Sequence, residues 1–180
     1  MLLFYYFVLT ILLLVLIVFT SYQVYVRFIQ PGAIYYPTTH PDLQKMLKLA
    51  KLTPKDTLID IGSGDGRILI AAARFGVKSI GYEINPFLVR HSRRLVRQAG
   101  LEKLITIHWK SFWKADFSQA TIITVYLFPQ YMNRLHKLLL KKAKDNIKII
   151  VNDYPFPKLK AIKKIGTIYL YTLKKGNKSI

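Results

Sequence analysis

No cysteine occurs among the 180 residues, and that absence excludes disulfides, thiolate metal sites and a cysteine nucleophile. Acidic residues are nearly as scarce. Nine Asp and Glu stand against 28 Lys and Arg, a formal charge of +19, so the folded surface draws anionic partners, an acidic membrane leaflet first and nucleic acid second. No charged side chain of either sign precedes Arg27, so the whole excess belongs to the chain from Arg27 onward. His40, His91, His108 and His136 show no metal-ligand spacing. There is no internal repeat and no low-complexity linker, and the length leaves no room for a second catalytic domain.

What is present begins with a long apolar run. From Leu2 to Phe19 only Thr10 interrupts it, and the uncharged stretch continues through Val26, longer than the roughly 20 residues that cross a bilayer. Tyr5 and Tyr6 at one end, and Tyr22 and Tyr25 at the other, suit the two interfaces. A cleaved signal peptide would carry a basic n-region and a small-x-small site, and neither stands near Phe19-Thr20-Ser21-Tyr22. The expectation is one uncleaved transmembrane helix over residues 1–26, a linker and amphipathic helix over 27–54, and a catalytic domain over 55–175. Arg27, Lys45, Lys48, Lys51 and Lys55 all come after the apolar run, so the positive-inside bias predicts a single-pass membrane protein with its domain on the cytoplasmic side.

Beyond the anchor, helix and strand signals alternate. Thr39-His40-Pro41-Asp42 has capping-box spacing, and Leu43, Met46, Leu47 and Ala50 recur at helical intervals. Strands are predicted over residues 57–61, 79–82, 104–108, 121–126 and 147–151, and helices over 67–75, from Asn85 to about 99, and from about 130 to 143. Residues 165–173 read as a last strand or hairpin. Such alternation predicts an α/β fold, a Rossmann-like sheet with helices on both faces, preceded by the transmembrane helix.

The most informative stretch is Leu58-Ile59-Asp60-Ile61-Gly62-Ser63-Gly64-Asp65-Gly66-Arg67. A strand runs into a glycine-rich turn that opens a helix, and glycines there let backbone approach a ligand closely. The carboxyl edge of an open α/β sheet is where ligands bind. Dinucleotide enzymes carry G-x-G-x-x-G to seat a pyrophosphate, whereas the spacing here is G-x-G-x-G behind an acid. That acid suits a cationic ligand, and the sulfonium and ammonium of S-adenosylmethionine are cations. Glu83, closing the second strand, is placed to accept the hydroxyls of a ribose. Asp65 is the residue of the loop best placed to cap the helix start.

The stretches Ile59-Asp60-Ile61-Gly62-Ser63-Gly64-Asp65-Gly66-Arg67-Ile68 and Gly81-Tyr82-Glu83-Ile84-Asn85-Pro86 resemble the class I methyltransferases. Within them the chain is similar to the membrane-anchored protein-lysine methyltransferases of mitochondria and their prokaryotic relatives, whose mitochondrial members act on the ATP synthase c subunit and the adenine nucleotide translocase. The likeness runs over about residues 35–157 and includes Tyr35-Tyr36-Pro37-Thr38-Thr39, Phe128-Pro129-Gln130 and Tyr154-Pro155-Phe156-Pro157. It implies a class I methyltransferase sheet and S-adenosylmethionine as cofactor. It also implies that Asp60, Gly62, Ser63, Gly64, Gly66 and Glu83 carry that cofactor, with Tyr35 and Thr39 closing over it. Two positions depart from the family pattern. Ser111 stands where an Asp usually holds the adenine amino group, and Asp153 stands where the mitochondrial proteins tend to have Arg.

Methyl transfer is an in-line displacement at an activated carbon, so alignment and exclusion of water carry it and no metal is required. A lysine acceptor must first lose a proton from a group whose ordinary pKa is about 10.4, which apolar surroundings favour. Phe128 and Pro129, where the fourth strand reaches the crevice, are expected to shape the acceptor channel, with aromatic faces at residues 126–130 able to hold an ammonium or its methylated product. The Asp/Asn-Pro-Pro-aromatic signature of adenine and glutamine methyltransferases is missing, which favours a lysine of a membrane or membrane-proximal protein as acceptor and makes nucleic acid a lesser one. The +19 charge with Ser111 motivates one alternative, a non-catalytic basic module that binds membrane or RNA on the same fold. A nicotinamide-dependent reductase is disfavoured by the loop spacing.

Overall fold

The structure, a computed structural model, describes residues 1–24 and 35–175. The chain divides into two units, one ending at Ile34 and one beginning at Tyr35. Helix α1, Leu2–Val24, makes up the described part of the first. Its 23 residues span about 34 Å at the helical rise, enough for a bilayer core, and none of them is buried. Thr10 and Thr20 bond back to the carbonyls of Tyr6 and Leu16, so neither hydroxyl is left unpaired in an apolar setting. Tyr25, Val26 and Arg27, expected at the membrane boundary, lie outside the described residues, as does the linker from 27 to 34.

The second unit opens with α2, His40–Ala50. Thr39 and Asp42 cap it reciprocally: the Asp42 N–H donates to the Thr39 hydroxyl oxygen at 3.3 Å, and that hydroxyl donates to the Asp42 carboxylate at 2.7 Å. Leu43, Met46, Leu49 and Ala50 are buried in the core, so this helix is part of the compact unit that starts at Tyr35 rather than a lead-in to it. Strands β1 (Thr57–Ile61), β2 (Lys78–Glu83), β3 (Ile105–Trp109), β4 (Ile122–Val125) and β5 (Lys148–Asn152) then alternate with α3 (Arg67–Ala73), α4 (Pro86–Gln98) and α5 (Pro129–Lys142). A single 3-10 turn, Phe112–Lys114, comes after β3, and a hairpin of β6 (Lys163–Ile165) and β7 (Ile168–Thr172) ends the described chain.

The sheet order is β3-β2-β1-β4-β5-β7-β6, with β1 to β5 parallel and β7 antiparallel between β5 and β6. Both faces are covered. Alternate residues of each strand point to opposite faces: Leu58, Ile122 and Ile150 meet α2, α3 and α4, while Ile59, Ile123 and Ile149 meet Met132, Leu135 and Leu139 of α5. Continuous apolar strands are what two covered faces require, and the α/β sheet expected from the alternation is the one that forms. Most element ends fall within a residue of those expected, and two differ by more. Helix α3 stops at Ala73 rather than Phe75, because the amides of Phe75 and Gly76 turn to carbonyls only three residues back. The final segment is a hairpin about Gly166 and Thr167, and its antiparallel strand inserts beside β5.

Strand order reverses between β1 and β4, since β2 and β3 lie to one side of β1 and β4 and β5 to the other. The carboxyl ends of β1 and β4 therefore flank the crevice where such sheets bind ligands. The glycine turn, Glu83, Tyr126 and Asp153 all leave strands at that edge.

Candidate active site

The turn after β1 is built for close approach. Gly62, Gly64 and Gly66 take φ of 74°, 54° and 82°, a region costly for side-chain-bearing residues. A Cβ at Gly64 would stand 2.8 Å from the ring of Tyr35, whereas one at Gly62 would meet nothing within 4 Å. The turn is stitched to the end of β2: the amides of Gly62 and Ser63 both donate to the Tyr82 carbonyl. The Gly64 amide donates to Glu83 Oε2 at 2.9 Å. Glu83 Oε1 accepts from Ile84 and Asn85, each at 2.8 Å. The buried carboxylate of Glu83 is thus a keystone between the turn and the start of α4, with lone-pair capacity to spare for a ligand hydroxyl.

Asp60 is buried beneath the turn, and Thr124 of β4 donates to its Oδ1 at 2.7 Å. Burial, then the nearby charges of Glu83 and Asp65, raise its pKa to about 7 against the opposing pull of Thr124. The N-cap of α3 is Gly66 rather than Asp65; Asp65, one residue earlier, accepts from the Arg67 amide at 3.2 Å and takes the Arg67 guanidinium at 2.7 Å. Burial would raise this carboxyl, but its bonds to Arg67 hold it below the ordinary range. Arg67 reaches on to the carbonyl of Thr38 at 2.8 Å. The Tyr35 hydroxyl joins Asp65 and Arg67, and burial followed by the Asp65 charge raises its pKa. Residues 35–39 are thereby strapped along the turn.

The remaining residues expected at the site differ in what they touch. Thr39 spends its hydroxyl on capping α2. Ser63 packs its hydroxyl toward β2, where a Cβ on Gly81 would fall 2.6 Å away, and that oxygen has no hydrogen-bond partner. Ser111 opens the 3-10 turn after β3, its carbonyl accepting from Lys114 and its hydroxyl capping nothing. The neighbouring Lys110 amide donates to the Glu83 carbonyl, which draws this segment to the end of β2. Phe128 precedes Pro129, the first residue of α5, and its ring lies 6.2 Å from that of Tyr154.

Residues that sequence reasoning did not assign to the site also converge here. Thr38 is buried and receives the Asn152 amide at 3.4 Å, Thr124 holds Asp60, and Arg67 ties turn to strap. The pairing of Asp65 with Arg67 two residues on was a legible signal; the Thr38–Asn152 pair, 114 residues apart, left none.

Eight of the nine acids divide evenly between the two edges of the sheet. Asp56, Glu102, Asp116 and Asp145 precede β1, β3, β4 and β5 at the amino edge, whereas Asp60, Asp65, Glu83 and Asp153 sit at the carboxyl edge. In a chain of charge +19 the crevice is locally acidic. An open glycine cradle beside three buried or half-buried carboxylates fits a compact cationic ligand such as S-adenosylmethionine and fits a pyrophosphate badly.

Residues 60–163, more than half of the chain, match the profile of the ANTKMT methyltransferase domain. The chain belongs to the ANTKMT methyltransferase family. Among members of related sequence, the human lysine N-methyltransferase of the ATP synthase c subunit is 36% identical over 123 residues, which cover 68% of this chain and 52% of that protein. The chain thus spans about half the length of that relative, and 58% of its mouse counterpart. A protein-lysine N-methyltransferase of Saccharolobus islandicus is 32% identical over 126 residues, covering 69% of this chain and 78% of its own length. Among solved structures, an RNA methyltransferase of Salinibacter ruber in complex with S-adenosyl-L-homocysteine superposes with a TM-score of 0.77 at 32% identity, over 79% of this chain and 96% of that one. The class I methyltransferase fold expected from the sequence is the fold observed. The ANTKMT family match begins at Asp60, the acid beneath the glycine turn.

Proposed function

We propose that the protein is an S-adenosylmethionine-dependent methyltransferase that N-methylates lysine on a membrane or membrane-proximal protein. The observation that carries this reading is the carboxyl edge itself: in a strongly basic chain, Asp60, Glu83 and Asp153 stand there free of salt bridges among the described residues. A phosphate backbone is repelled from such an edge, and an ammonium is drawn to it. The named relatives act on protein lysine in human, mouse and Saccharolobus.

When bound, S-adenosylmethionine supplies a methyl carbon activated by its sulfonium, so a neutral lysine nitrogen forms the C–N bond as the C–S bond breaks. Asp60, Gly62, Ser63, Gly64, Gly66, Glu83 and Ser111 are the residues we assign to holding the cofactor, with Tyr35 over the turn and Thr39 fixing the strap through its cap. Glu83, which braces the turn, would accept from the ribose hydroxyls, and Asp60, once ionised, would offset the cofactor's positive charge. Phe128 and Pro129 shape the acceptor approach, and their apolar surfaces exclude water from it.

The helix Leu2–Val24 serves in this reading as a single-pass anchor. The basic residues beyond it support a cytoplasmic side for the domain by the positive-inside bias, with anionic lipid as its electrostatic partner. The test uses the full chain in detergent with labelled S-adenosylmethionine and two acceptors, membranes and total RNA, from cells lacking the gene. Label in membrane protein, mapped by mass spectrometry to one to three methyl groups on lysine, supports the reading. Label in RNA, or cofactor binding without transfer, sinks it.

A further inference from the structure

Four aromatic rings from three separate segments meet at the carboxyl edge. Tyr36 comes from the strap, Tyr126 and Phe128 from the end of β4, and Tyr154 from the turn after β5. The rings of Tyr36 and Tyr126 stand edge to face at 5.9 Å, those of Tyr126 and Tyr154 tilt at 6.4 Å, and those of Phe128 and Tyr154 at 6.2 Å. Tyr36 is exposed and the other three are half-buried, so the group is open to an incoming side chain rather than sealed in the core. Tyr36 adjoins Tyr35, whose ring covers Gly64, which sets the quartet beside the cofactor turn.

Asp153 completes the group by a strained route. It takes a φ of 69°, and the Tyr154 amide bonds across it to the Asn152 carbonyl at 2.9 Å, the three-residue bond of a γ-turn. The positive-φ form of that turn is rare in residues with side chains and persists where surroundings enforce it. Here the Asp153 amide is held by the Thr167 carbonyl at 2.9 Å. The kink presents Tyr154 to Tyr126 and Phe128 and leaves the Asp153 carboxylate without a side-chain partner among the described residues. Burial, followed by the Asp153 charge, raises the pKa of the Tyr126 hydroxyl, with smaller contributions from Tyr154, Tyr36 and Asp42. That phenol remains neutral, and its ring face keeps its full attraction for a cation.

We infer that Tyr36, Tyr126, Phe128 and Tyr154, with Asp153 at their side, form the acceptor-recognition site and select the incoming group by its positive charge. The inference rests on the methyltransferase reading of the same edge. It adds that the acceptor docks as an alkylammonium held by ring faces and one carboxylate before its proton passes to bulk water. Asp153 acts here as a positioning and charge-selecting residue, since the strained turn fixes it and Tyr154 together. An uncharged side chain of the same shape would find the same apolar contact but lose the electrostatic share.

The experiment compares two unreactive probes on the full chain in neutral detergent, saturated with S-adenosyl-L-homocysteine: Nα-acetyl-Nε-trimethyllysine amide and its tert-butyl analogue, in which carbon replaces the charged nitrogen. Binding is followed by NMR up to millimolar probe. The charged probe is expected to bind about tenfold more tightly. Tyr154→Leu and Tyr126→Leu should each shrink that preference severalfold, Tyr154→Phe should keep it, and Asp153→Asn, which tolerates the same backbone, should reduce it. Equal affinity for the two probes, no binding of the charged one, or a preference intact in both Leu variants overturns the inference. Binding of S-adenosyl-L-homocysteine and methyl transfer by the parent chain are read in parallel. Their loss strikes the methyltransferase reading, whereas their presence without charge preference strikes only the recognition site.

Discussion

The Gly64 amide donates to Glu83 Oε2 at 2.9 Å, and this one bond joins the glycine turn to the acid that the sequence presents as a separate ligand contact. Removing the carboxylate orphans the amides of Gly64, Ile84 and Asn85. Glu83→Ala should therefore lower the stability of the cofactor-free domain by about 2–4 kcal/mol as well as abolish S-adenosylmethionine binding. Thermal melts without cofactor decide the point, because a residue that touched only ribose would leave them unchanged.

Asp60 predicts a pH dependence. Below about pH 4 its carboxyl is protonated in folded and unfolded chain alike. Between there and the folded value of about 7 only the folded state keeps the proton, so stability from this group falls as pH rises through that window and is level above it. Asp60→Asn should flatten this part of the curve. Cofactor affinity should run the other way, rising with pH to about 7 as the anion forms, with proton release at pH 6 to 7 measurable by calorimetry in buffers of different ionisation enthalpy.

Gly81 is tested by space rather than dihedral. A Cβ there would stand 2.6 Å from both Leu69 Cδ1 and Ser63 Oγ, and overpacking of this kind costs about 1–3 kcal/mol. Gly81→Ala should lower the melting temperature and raise the KM for S-adenosylmethionine, since Ser63 lies within the glycine turn proposed to hold the cofactor. Adding Ser63→Gly should recover part of both.

Arg67 separates strap from fold. Its guanidinium is partly exposed, so its ion pair with Asp65 contributes under about 1 kcal/mol. Arg67→Lys, which cannot serve Asp65 and Thr38 at once, should leave stability nearly unchanged and raise the KM for S-adenosylmethionine about tenfold. A loss confined to stability would show that the strap does not serve the cofactor.

The anchor and the basic surface make distinct predictions. The full chain should stay with membranes through high salt and alkaline extraction, because hydrophobic burial does not respond to screening. A variant lacking residues 1–24 should bind vesicles rich in anionic lipid only at low salt and release as ionic strength passes about 0.15 M. Salt-resistant binding of the truncated variant would contradict a purely electrostatic second contact.

Much of the fold was legible because the signals were local. The Thr39 and Asn85 caps, Pro86 at a helix start, and the apolar runs of β1, β4 and β5 each depend on neighbours within a few residues. The glycine turn and the acid at the end of β2 were legible too, since strand, turn, helix and strand are contiguous. Membership of α2 in the core was less so, because an amphipathic helix shows that it has an apolar face but not what covers it.

By itself the sequence determined the apolar span of Leu2–Val24, the alternating α/β order, and a glycine turn preceded by Asp60 and answered by Glu83, because length, periodicity and backbone freedom are properties of short stretches. Tertiary structure alone decided that Glu83 braces the turn it was expected merely to face, that Thr124 holds Asp60, and that β7 enters antiparallel beside β5. It also decided that Tyr36, Tyr126, Phe128 and Tyr154 share one edge with Asp153. Those relations pair residues distant in the chain, and only the packing of strands about the reversal between β1 and β4 brings them within reach.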